Sequence, residues 1–370
     1  MKNFEQLGIS SGFIKGIAEL NIVEPTNIQK KVIPILMSGA TDIVAQAQTG
    51  TGKTAAYGLP LLEQMDLTIN SVQGLVLCPT RELAQQVAKQ LFKFTKYSAK
   101  IFTESVYGGE HIDRQIKSLK RPTHIIVATP GRLIDLVKRK AVNLDNIKTI
   151  VLDEADEMLS MGFKKELDEI LNFLPAITNK WLFSATIPQG IKEIISIHLN
   201  KDAKSIEVSQ DNIVNKNISH QYVMCDDSEK LHMLQLFLKS QRENRGLIFC
   251  KTKAATKKLA KQLIAKNIST DAIHGDLLQK ERDKVMRAFK NGTLRVLVAT
   301  DVAARGIDIS DLSFVAHYQL PENDEYYTHR SGRTARAGKE GLSMCFANTS
   351  EVKVLRNYER VLGIKFQQVK

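Results

Sequence analysis

The chain has 370 residues, 43% of them apolar and 25% charged, which is typical of folded globular proteins and argues against bulk disorder. At about 100–200 residues per domain, this length predicts two domains. Apolar runs are far shorter than the roughly 18 residues of a membrane-spanning helix, and the N-terminus lacks the apolar region of a secretory signal. We therefore expect a protein that neither crosses a membrane nor is secreted.

Positive charge is concentrated in the second half. Lysine and arginine exceed aspartate and glutamate by 52 − 40 = 12. Residues 1–210 carry 25 basic and 22 acidic side chains, a net of +3, whereas residues 211–370 carry 27 and 18, a net of +9. This excess fits a polyanionic partner, most often a nucleic acid. On charge alone, a basic protein without such a partner is equally compatible.

The cysteines indicate the redox compartment. The four cysteines are Cys78, Cys225, Cys250 and Cys345. Their spacing excludes a CxxC metal or redox motif, so we expect free thiols in a reducing cytoplasm.

Two pairs of segments repeat along the chain. Residues 74–91 read GLVLCPTRELAQQVAKQL and residues 246–263 read GLIFCKTKAATKKLAKQL, with eight of 18 positions identical at an offset of 172. Residues 125–129 (IIVAT) and 296–300 (VLVAT) match at an offset of 171. Two matches at nearly one offset predict an internal duplication. Chance similarity between generic strand–helix units is the alternative.

Strand-like runs alternate with stretches of helical period along the whole chain. Each run is short, apolar and rich in β-branched residues, as in a buried parallel strand followed by a crossover helix. The runs lie at the start of residues 74–91 and at residues 42–45, 125–129, 149–152, 181–183, 246–249 and 295–298. The alternation predicts the α/β class, with mostly parallel sheets flanked by helices. A polar stretch at 208–217 is the predicted linker between domains at 1–207 and 218–370.

A glycine-rich loop, AQTGTGKT, follows the first predicted strand. Gly50 and Gly52 leave backbone N–H groups open to an anion, and the helix that follows adds the positive end of its dipole. Lys53 would reach the β- and γ-phosphates of a nucleotide, and Thr54 would ligate Mg²⁺. Ala47 stands where the usual pattern begins with Gly. The alternative is a glycine-rich turn before an ordinary helix. A strand before the loop, GKT at its end and a helix after it together favour the phosphate loop over this alternative.

Two carboxylates end a later predicted strand. The run TIVLD ends in Asp153, and Glu154 follows it. Ligands of open α/β sheets bind at the carboxyl ends of strands, so Asp153 can hold Mg²⁺ through water and Glu154 can orient or deprotonate an attacking water. Taken alone, these acids are better explained by a helix N-terminus. The phosphate loop upstream favours the nucleotide site.

An arginine-rich segment, HRSGRTARAG, lies at residues 329–338. Its arginines, Arg330, Arg333 and Arg336, recur every three residues, so we expect them to crowd one face of a helical turn. Guanidinium groups suit phosphate, and these could serve as arginine fingers from the second domain. A solvated basic surface is the alternative.

Together these motifs resemble those of the DEAD-box RNA helicases, a family within helicase superfamily 2. The resemblance covers nearly the whole chain and depends on an ordered set rather than on any one motif. An isolated Phe4 is followed by PTNIQ (25–29), AQTGTGKT (47–54), PTRELA (79–84), GG (108–109), TPGR (129–132), DEAD (153–156), SAT (184–186), LIFCKT (247–252), HGDLLQKER (274–282), VATDVAARGID (298–308) and HRSGRTAR (329–336).

The resemblance implies two RecA-like domains that bind ATP. Gln29 is expected to read the adenine edge and Phe4 to pack near the base. Ile22 occupies a position where the family usually has an aromatic residue, so adenine would lie on an aliphatic surface and nucleotide affinity would be weak. The implied nucleotide contacts are Thr49, Gly50, Thr51, Gly52, Lys53, Thr54, Gly306 and Asp308; the implied metal ligands are Thr54 and Asp153; the implied catalytic residues are Lys53, Asp153, Glu154, Arg333 and Arg336.

The resemblance also implies an RNA site. The matching RNA contacts are Arg81, Gly109, Thr129 and Arg132 in the first domain and Gln279, Arg282 and Thr300 in the second. Small residues and arginines suit sequence-independent contact with the phosphate backbone. Ser184 and Thr186 match the motif that links ATP use to RNA opening, with a solvent-facing turn as the alternative.

The implied activity is local RNA unwinding or remodelling of RNA–protein complexes, driven by RNA-stimulated ATP hydrolysis with Mg²⁺. We expect a minimal two-domain core that acts as a cytoplasmic monomer, with ribosome-assembly or RNA-decay proteins as possible partners. Two other classes stay open: a DNA translocase on the same scaffold, and a non-enzymatic RNA-binding scaffold. The DEAD sequence with Gln29 disfavours the first, and intact Lys53, Glu154 and Arg333 disfavour the second.

Overall fold

The chain forms two compact units, Met1–Ser209 and Gln210–Lys370. The computed structural model describes residues 3–39, 41–48, 50–175, 179–208, 217–304, 312–335 and 339–369. Most of the predicted linker at 208–217 lies outside these ranges. Among the helices of the described residues, none has the length and apolar character that crossing a membrane requires. The four cysteines are buried free thiols.

The first unit is built on a parallel seven-stranded sheet with the order β3-β4-β2-β5-β6-β1-β7. Its strands are β1 (Ile43–Gln46), β2 (Gly74–Leu77), β3 (Thr103–Val106), β4 (Ile125–Ala128), β5 (Thr149–Asp153), β6 (Asn179–Ser184) and β7 (Lys204–Glu207). Its helices are α1 (Ser11–Ala18), α2 (Asn27–Met37), α3 (Lys53–Glu63), α4 (Arg81–Phe94), α5 (Ile112–Ser118), α6 (Pro130–Lys138), α7 (Ala155–Ser160), α8 (Lys164–Phe173) and α9 (Gln189–His198).

Alternation along the strands divides the first core into two layers. Ile43 and Ala45 pack with residues of α1 to α4, whereas Val44 packs with residues of α6 to α9. Successive side chains of a strand point to opposite faces, so a run that is apolar at every position must be covered on both sides. The apolar runs of the sequence therefore correctly predict helices on both faces of a parallel sheet.

The second unit repeats this architecture. Its parallel seven-stranded sheet has the order β10-β11-β9-β12-β13-β8-β14. Its strands are β8 (Ile218–Met224), β9 (Gly246–Cys250), β10 (Thr270–Ile273), β11 (Val296–Thr300), β12 (Phe314–His317), β13 (Gly341–Ala347) and β14 (Gln367–Val369). Its helices are α10 (Lys230–Ser240), α11 (Lys253–Ile264), α12 (Gln279–Lys290), α13 (Asp301–Ala304), α14 (Asp324–Ser331) and α15 (Thr349–Leu362). Residues of α10 and α11 share one core layer, and those of α12 to α15 lie in two others.

The two sheets have the same topology when their strands are numbered from the start of each unit. The repeated sequence segments fall on equivalent elements, β2–α4 with β9–α11 and β4 with β11. One of the eight identical positions has a clear structural reason. Thr80 and Thr252 cap α4 and α11 by accepting a hydrogen bond from the N–H groups of Leu83 and Ala255.

Candidate active site

The phosphate loop joins β1 to α3. Gly50 and Gly52 adopt φ of +84° and +91°, a left-handed backbone that favours glycine. The Thr51 hydroxyl donates to the Gln48 carbonyl at 2.7 Å and helps to fix the turn. Lys53 opens the helix as predicted, and its buried ammonium donates to the Ala47 carbonyl at 2.9 Å. The loop thus holds a cation inside a turn of backbone N–H groups, which suits phosphate binding.

Gln29 ties the start of α2 to this loop. Its Oε1 accepts from the Thr26 N–H at 2.9 Å, and its Nε2 donates to the Gly52 carbonyl at 3.0 Å. Phe4 is buried in the core cluster against which Ile22 also packs. Gln29 is therefore brought to the phosphate loop. Its adenine contact and that of Phe4 stay predictions.

Asp153 lies at the carboxyl end of β5, where it is 3% exposed. Its Oδ2 accepts a 2.8 Å hydrogen bond from the Tyr57 hydroxyl on α3. Its Oδ1 is also buried and makes no hydrogen bond to any described residue. Burial raises the pKa of Asp153, and the Lys53 ammonium and the Tyr57 hydroxyl oppose that shift. A buried carboxylate oxygen without a donor, on the same site as a hydroxyl from Thr54, fits Mg²⁺ or a water bound to it.

Glu154 follows Asp153 with a left-handed backbone, φ 52° and ψ 53°, and stands at the N-terminus of α7. Non-glycine residues seldom adopt this conformation, and when they do they often lie at functional sites. The left-handed backbone of Glu154 therefore follows directly on the end of β5. The Glu154 side chain is half-buried, whereas the Asp153 carboxylate is buried. The two acids are adjacent, as the sequence indicates, and they occupy different environments.

Asp156 connects the acidic strand end to the loop after β6. Its N–H donates to the Ser184 hydroxyl at 3.2 Å, and its Oδ2 accepts from both the N–H and the hydroxyl of Thr186, each at 2.9 Å. Ser184 is fully buried, so a solvent-facing turn is wrong for this residue. A chain of hydrogen bonds thus leads from the DEAD segment to SAT.

The predicted RNA residues of the first unit share one polar cluster. Arg132 donates to the Gln115 side chain at 2.7 Å and to the Glu110 carbonyl at 2.9 Å. The Arg81 guanidinium lies over the Tyr107 ring, 4.9 Å from its centroid. Gly109 follows Tyr107 in a turn and has φ +83°, and Thr129 stands at the N-cap position of α6 without a side-chain capping hydrogen bond.

The second-unit candidates also lie together. Arg282 on α12 donates to the Ala303 carbonyl at 2.8 Å, which ties it to α13 directly after Thr300. Gln279, the first residue of α12, donates to Asp283 at 2.7 Å. Each of these side chains is therefore held in place by a neighbour.

The predicted face of three arginines is wrong for Arg330. Helix α14 ends at Ser331, so Arg333 lies beyond it. Arg330 is 1% exposed and points into the unit, where its guanidinium makes a paired salt bridge with Asp301. The internal carboxylate neutralises this arginine, and it is not available as a finger. The predicted site residues Thr49, Gly306, Asp308 and Arg336 lie outside the described residues.

Sequence reasoning missed the residues that orient the site. Tyr57 hydrogen-bonds to Asp153, Tyr107 lies under the guanidinium of Arg81, and Gln115 and Glu110 hold Arg132. The sequence predicts no separate role for Asp156. Tyr57 could have been found from its spacing, because residues three and four apart share a helix face and Lys53 and Thr54 precede it by four and three. The contacts around Tyr107 and Gln115 join separate elements and left no comparable pattern.

Comparison with known proteins is consistent with this geometry. Residues 26–194 match the DEAD/DEAH box helicase family, and residues 229–338 match the helicase conserved C-terminal domain. The DEAD-box ATP-dependent RNA helicase CshA of Bacillus cereus is 42% identical over 369 residues, which span 100% of this chain and 70% of that protein. The CshA protein of Geobacillus kaustophilus is 40% identical over 370 residues, 100% of this chain and 79% of that one.

Solved structures of other proteins are similar to this chain over its whole length. Saccharomyces cerevisiae Dbp5, bound to RNA and ADP BeF3, superposes with a TM-score of 0.91 at 31% identity, covering 100% of this chain and 96% of that one. A DEAD box protein from Methanococcus jannaschii has a TM-score of 0.58 at 42% identity, covering 100% and 99%. The chain belongs to the DEAD-box family of ATP-dependent RNA helicases, which are ATP-hydrolysing enzymes.

Proposed function

We propose that this protein separates short RNA duplexes, or remodels RNA–protein complexes, by RNA-stimulated hydrolysis of ATP. The observation that carries the proposal is the set of polar side chains at the carboxyl ends of neighbouring strands in the first unit. Lys53 begins the helix after β1, Asp153 is buried at the end of β5, and Asp156 hydrogen-bonds to Ser184 and Thr186 at and after the end of β6.

Lys53 and the N–H groups of its loop bind the β- and γ-phosphates in this proposal. Gln29 selects adenine, and Thr54 and Asp153 hold Mg²⁺, whose charge would neutralise the phosphate oxygens. Glu154 accepts a proton from the attacking water, and Arg333 of the second unit stabilises charge that develops on the transferred phosphoryl group. The Asp153 Oδ1, which is buried and accepts no hydrogen bond from the described residues, supports the metal assignment.

RNA is the proposed second ligand. In the first unit the Arg81 guanidinium lies over the Tyr107 ring and Arg132 donates to Gln115, and in the second unit Gln279 and Arg282 are held by hydrogen bonds. Guanidinium groups fixed in this way neutralise backbone phosphate without reading base sequence. Contacts to the 2′-hydroxyl would favour RNA over DNA.

ATP and RNA are thermodynamically coupled in this proposal. If both ligands favour the same conformation of the protein, each raises the affinity for the other by the same factor. The hydrogen bonds of Asp156 with Ser184 and Thr186 support a physical link between the two sites. We further propose that the protein acts as a monomer in the cytoplasm, with ribosome-assembly or RNA-decay proteins as its partners.

Steady-state ATP hydrolysis tests the proposal. The rate is measured with no nucleic acid, with single-stranded RNA and with single-stranded DNA of the same sequence and length. We expect strong stimulation by RNA alone. Equal stimulation by DNA would favour a translocase, and no hydrolysis under any condition would contradict an RNA-dependent ATPase.

A further inference from the structure

Tyr57 is a fully buried tyrosine whose hydroxyl lies inside the candidate ATP site. It is 0% exposed, and its hydroxyl donates to Asp153 Oδ2 at 2.8 Å. This phenol therefore contacts one of the two side chains assigned to the metal, although no motif of the sequence includes it.

The ring of Tyr57 is fixed by packing as well as by this hydrogen bond. It lies 5.1 Å from the Phe183 ring, centroid to centroid, with the two planes tilted by 58°. Phe183 is the register partner of Asp153 in the neighbouring strand. The ring is thus held between α3 and the sheet, at the strand position that carries the carboxylate, and its hydroxyl has little freedom to move.

This contact divides the two oxygens of the Asp153 carboxylate. Oδ2 is occupied by the phenol, and Oδ1 is buried without a hydrogen-bond donor among the described residues. When a hydrogen bond fixes one carboxylate oxygen, the second oxygen of the same group is fixed in direction too. Hydrogen bonds of this kind to metal-ligating carboxylates orient the ligand and adjust its affinity for the ion.

We propose that Tyr57 is a positioning residue for Mg²⁺, which orients the Asp153 carboxylate through its hydroxyl group. The proposal deepens the proposed function, because it rests on the assignment of Thr54 and Asp153 to the metal. Tyr57 itself contacts neither nucleotide nor metal in this role.

The Tyr57→Phe variant tests the proposal, because it removes the hydroxyl and keeps the ring that packs on Phe183. Binding of a fluorescent ADP derivative is measured with excess Mg²⁺ and with excess EDTA, and the ratio of the two dissociation constants gives the affinity gained from Mg²⁺. Loss of a residue that orients a ligand lowers metal affinity about 10–100-fold, so we expect this gain to fall by about tenfold in Tyr57→Phe. The dissociation constant in EDTA should stay at the wild-type value.

Tyr358→Phe is the matched control. Tyr358 is also buried, in the second unit, and its hydroxyl donates to the Pro321 carbonyl at 2.9 Å. If Tyr57 only stabilises the fold, both variants lower the urea midpoint and leave the Mg²⁺-dependent gain unchanged, which would overturn the proposal. An equal loss of affinity in Mg²⁺ and in EDTA would overturn it too, because the phosphate loop rather than the metal ligands would then be disturbed.

The half-saturating Mg²⁺ concentration for RNA-stimulated hydrolysis gives a second readout, which should rise in Tyr57→Phe. The binding measurement needs no RNA. A wild-type protein that RNA does not stimulate would thus contradict the proposed function, while the comparison of nucleotide affinities would still decide the role of Tyr57.

Discussion

The buried Arg330 forms a salt bridge with Asp301, whose side chain is 21% exposed, through two hydrogen bonds, from Nε to Oδ1 at 2.5 Å and from Nη2 to Oδ2 at 2.6 Å. The remaining guanidinium nitrogen donates to the Gln319 carbonyl at 2.8 Å, and the Phe249 ring lies 4.8 Å away. This arginine connects α14 and α13 to the core of the second unit. Its pattern of partners is that of a structural residue.

Replacing Arg330 with Gln should destabilise the second unit. Removing Arg330 leaves the partly exposed Asp301 carboxylate without its counter-ion, so the loss of stability should be smaller than the roughly 3–5 kcal/mol typical of a fully buried pair. Urea unfolding of the full chain, followed by circular dichroism, should show an earlier transition for the variant. Arg333→Gln is the comparison, because we expect it to lower ATP hydrolysis more than stability. An unchanged urea midpoint for Arg330→Gln would contradict the structural role.

The arginines illustrate what the sequence could predict. The equal spacing in the motif HRSGRTAR predicts one role for all three arginines. The end of α14 at Ser331 and the position of Asp301, 29 residues away in sequence, separate Arg330 from Arg333. A contact between distant residues cannot be read from local periodicity, because the fold alone brings the two together.

The duplication was easier to predict. Repeated apolar runs encode buried strands at each copy, and Thr80 and Thr252 encode the same helix cap. Signals of this kind can be read from the sequence because each depends only on residues that are close together along the chain. The Tyr57–Asp153 hydrogen bond spans 96 residues, and nothing in the sequence marks it except the helical spacing from Lys53 and Thr54.

Glu154→Gln should trap the ligand-bound state. Gln cannot accept the proton of the attacking water, and loss of a general base typically lowers the rate by about 10²–10⁴-fold. Binding of ATP should persist, so RNA should dissociate slowly from the variant in the presence of ATP. Hydrolysis and RNA dissociation are measured together, with the exposed Glu243→Gln as control. Hydrolysis at the wild-type rate in Glu154→Gln would exclude Glu154 as the base.

Thr186→Val should uncouple hydrolysis from strand separation. The substitution removes the hydroxyl that donates to Asp156 and keeps the backbone N–H bond to the same oxygen. A hydrogen bond to a charged group contributes about 1.5–3 kcal/mol, so the mutual gain in affinity between ATP and RNA should fall by about tenfold or more.

The affinity for RNA is measured with and without a non-hydrolysable ATP analogue, beside a duplex-separation assay. Thr123→Val is the matched control, since its hydroxyl donates only to the Arg121 carbonyl in the same unit. If Thr186→Val retained the full coupling and unwinding rate, Asp156 would have to act through Ser184 or through another path.

The second unit should lose stability in mild acid because of His220. Burial lowers the pKa of His220 from 6.5 to about 4, and its Nδ1 lies 2.5 Å from the Tyr327 hydroxyl. Burial also lowers the pKa of His317, which stacks on the same tyrosine. Between about pH 6.5 and 4, the unfolded chain therefore binds a proton that the folded His220 does not.

This proton uptake lowers the free energy of unfolding by about 1.4 kcal/mol per pH unit within that range, and above about pH 6.5 the stabilisation is fully present. Urea midpoints measured from pH 7 to pH 5 should fall in the wild type and fall less steeply in His220→Gln. Tyr358→Phe removes a buried hydrogen bond without removing a titrating group, so its pH dependence should match the wild type. A wild-type midpoint that is constant over this range would contradict the prediction.

Gly52→Ala should abolish nucleotide binding for two separable reasons. A side chain at φ +91° strains the backbone by roughly 1–2 kcal/mol, and the new Cβ would lie 2.5 Å from Gln29 Nε2. The clash would push apart the phosphate loop and the residue proposed to read adenine. Gly292→Ala is the control for strain alone, because Gly292 has φ +79° and no atom within 4 Å of an added Cβ.

Affinity for ADP, measured by fluorescence titration, separates the two effects. We expect Gly292→Ala to bind nucleotide like the wild type and Gly52→Ala to lose binding. The double variant Gly52→Ala/Gln29→Ala keeps the strain and removes the clash, so recovery of phosphate-dependent binding there would identify the Gln29 contact as the cause. Wild-type affinity in Gly52→Ala would mean that the loop does not need the left-handed residue that the structure places beside Gln29.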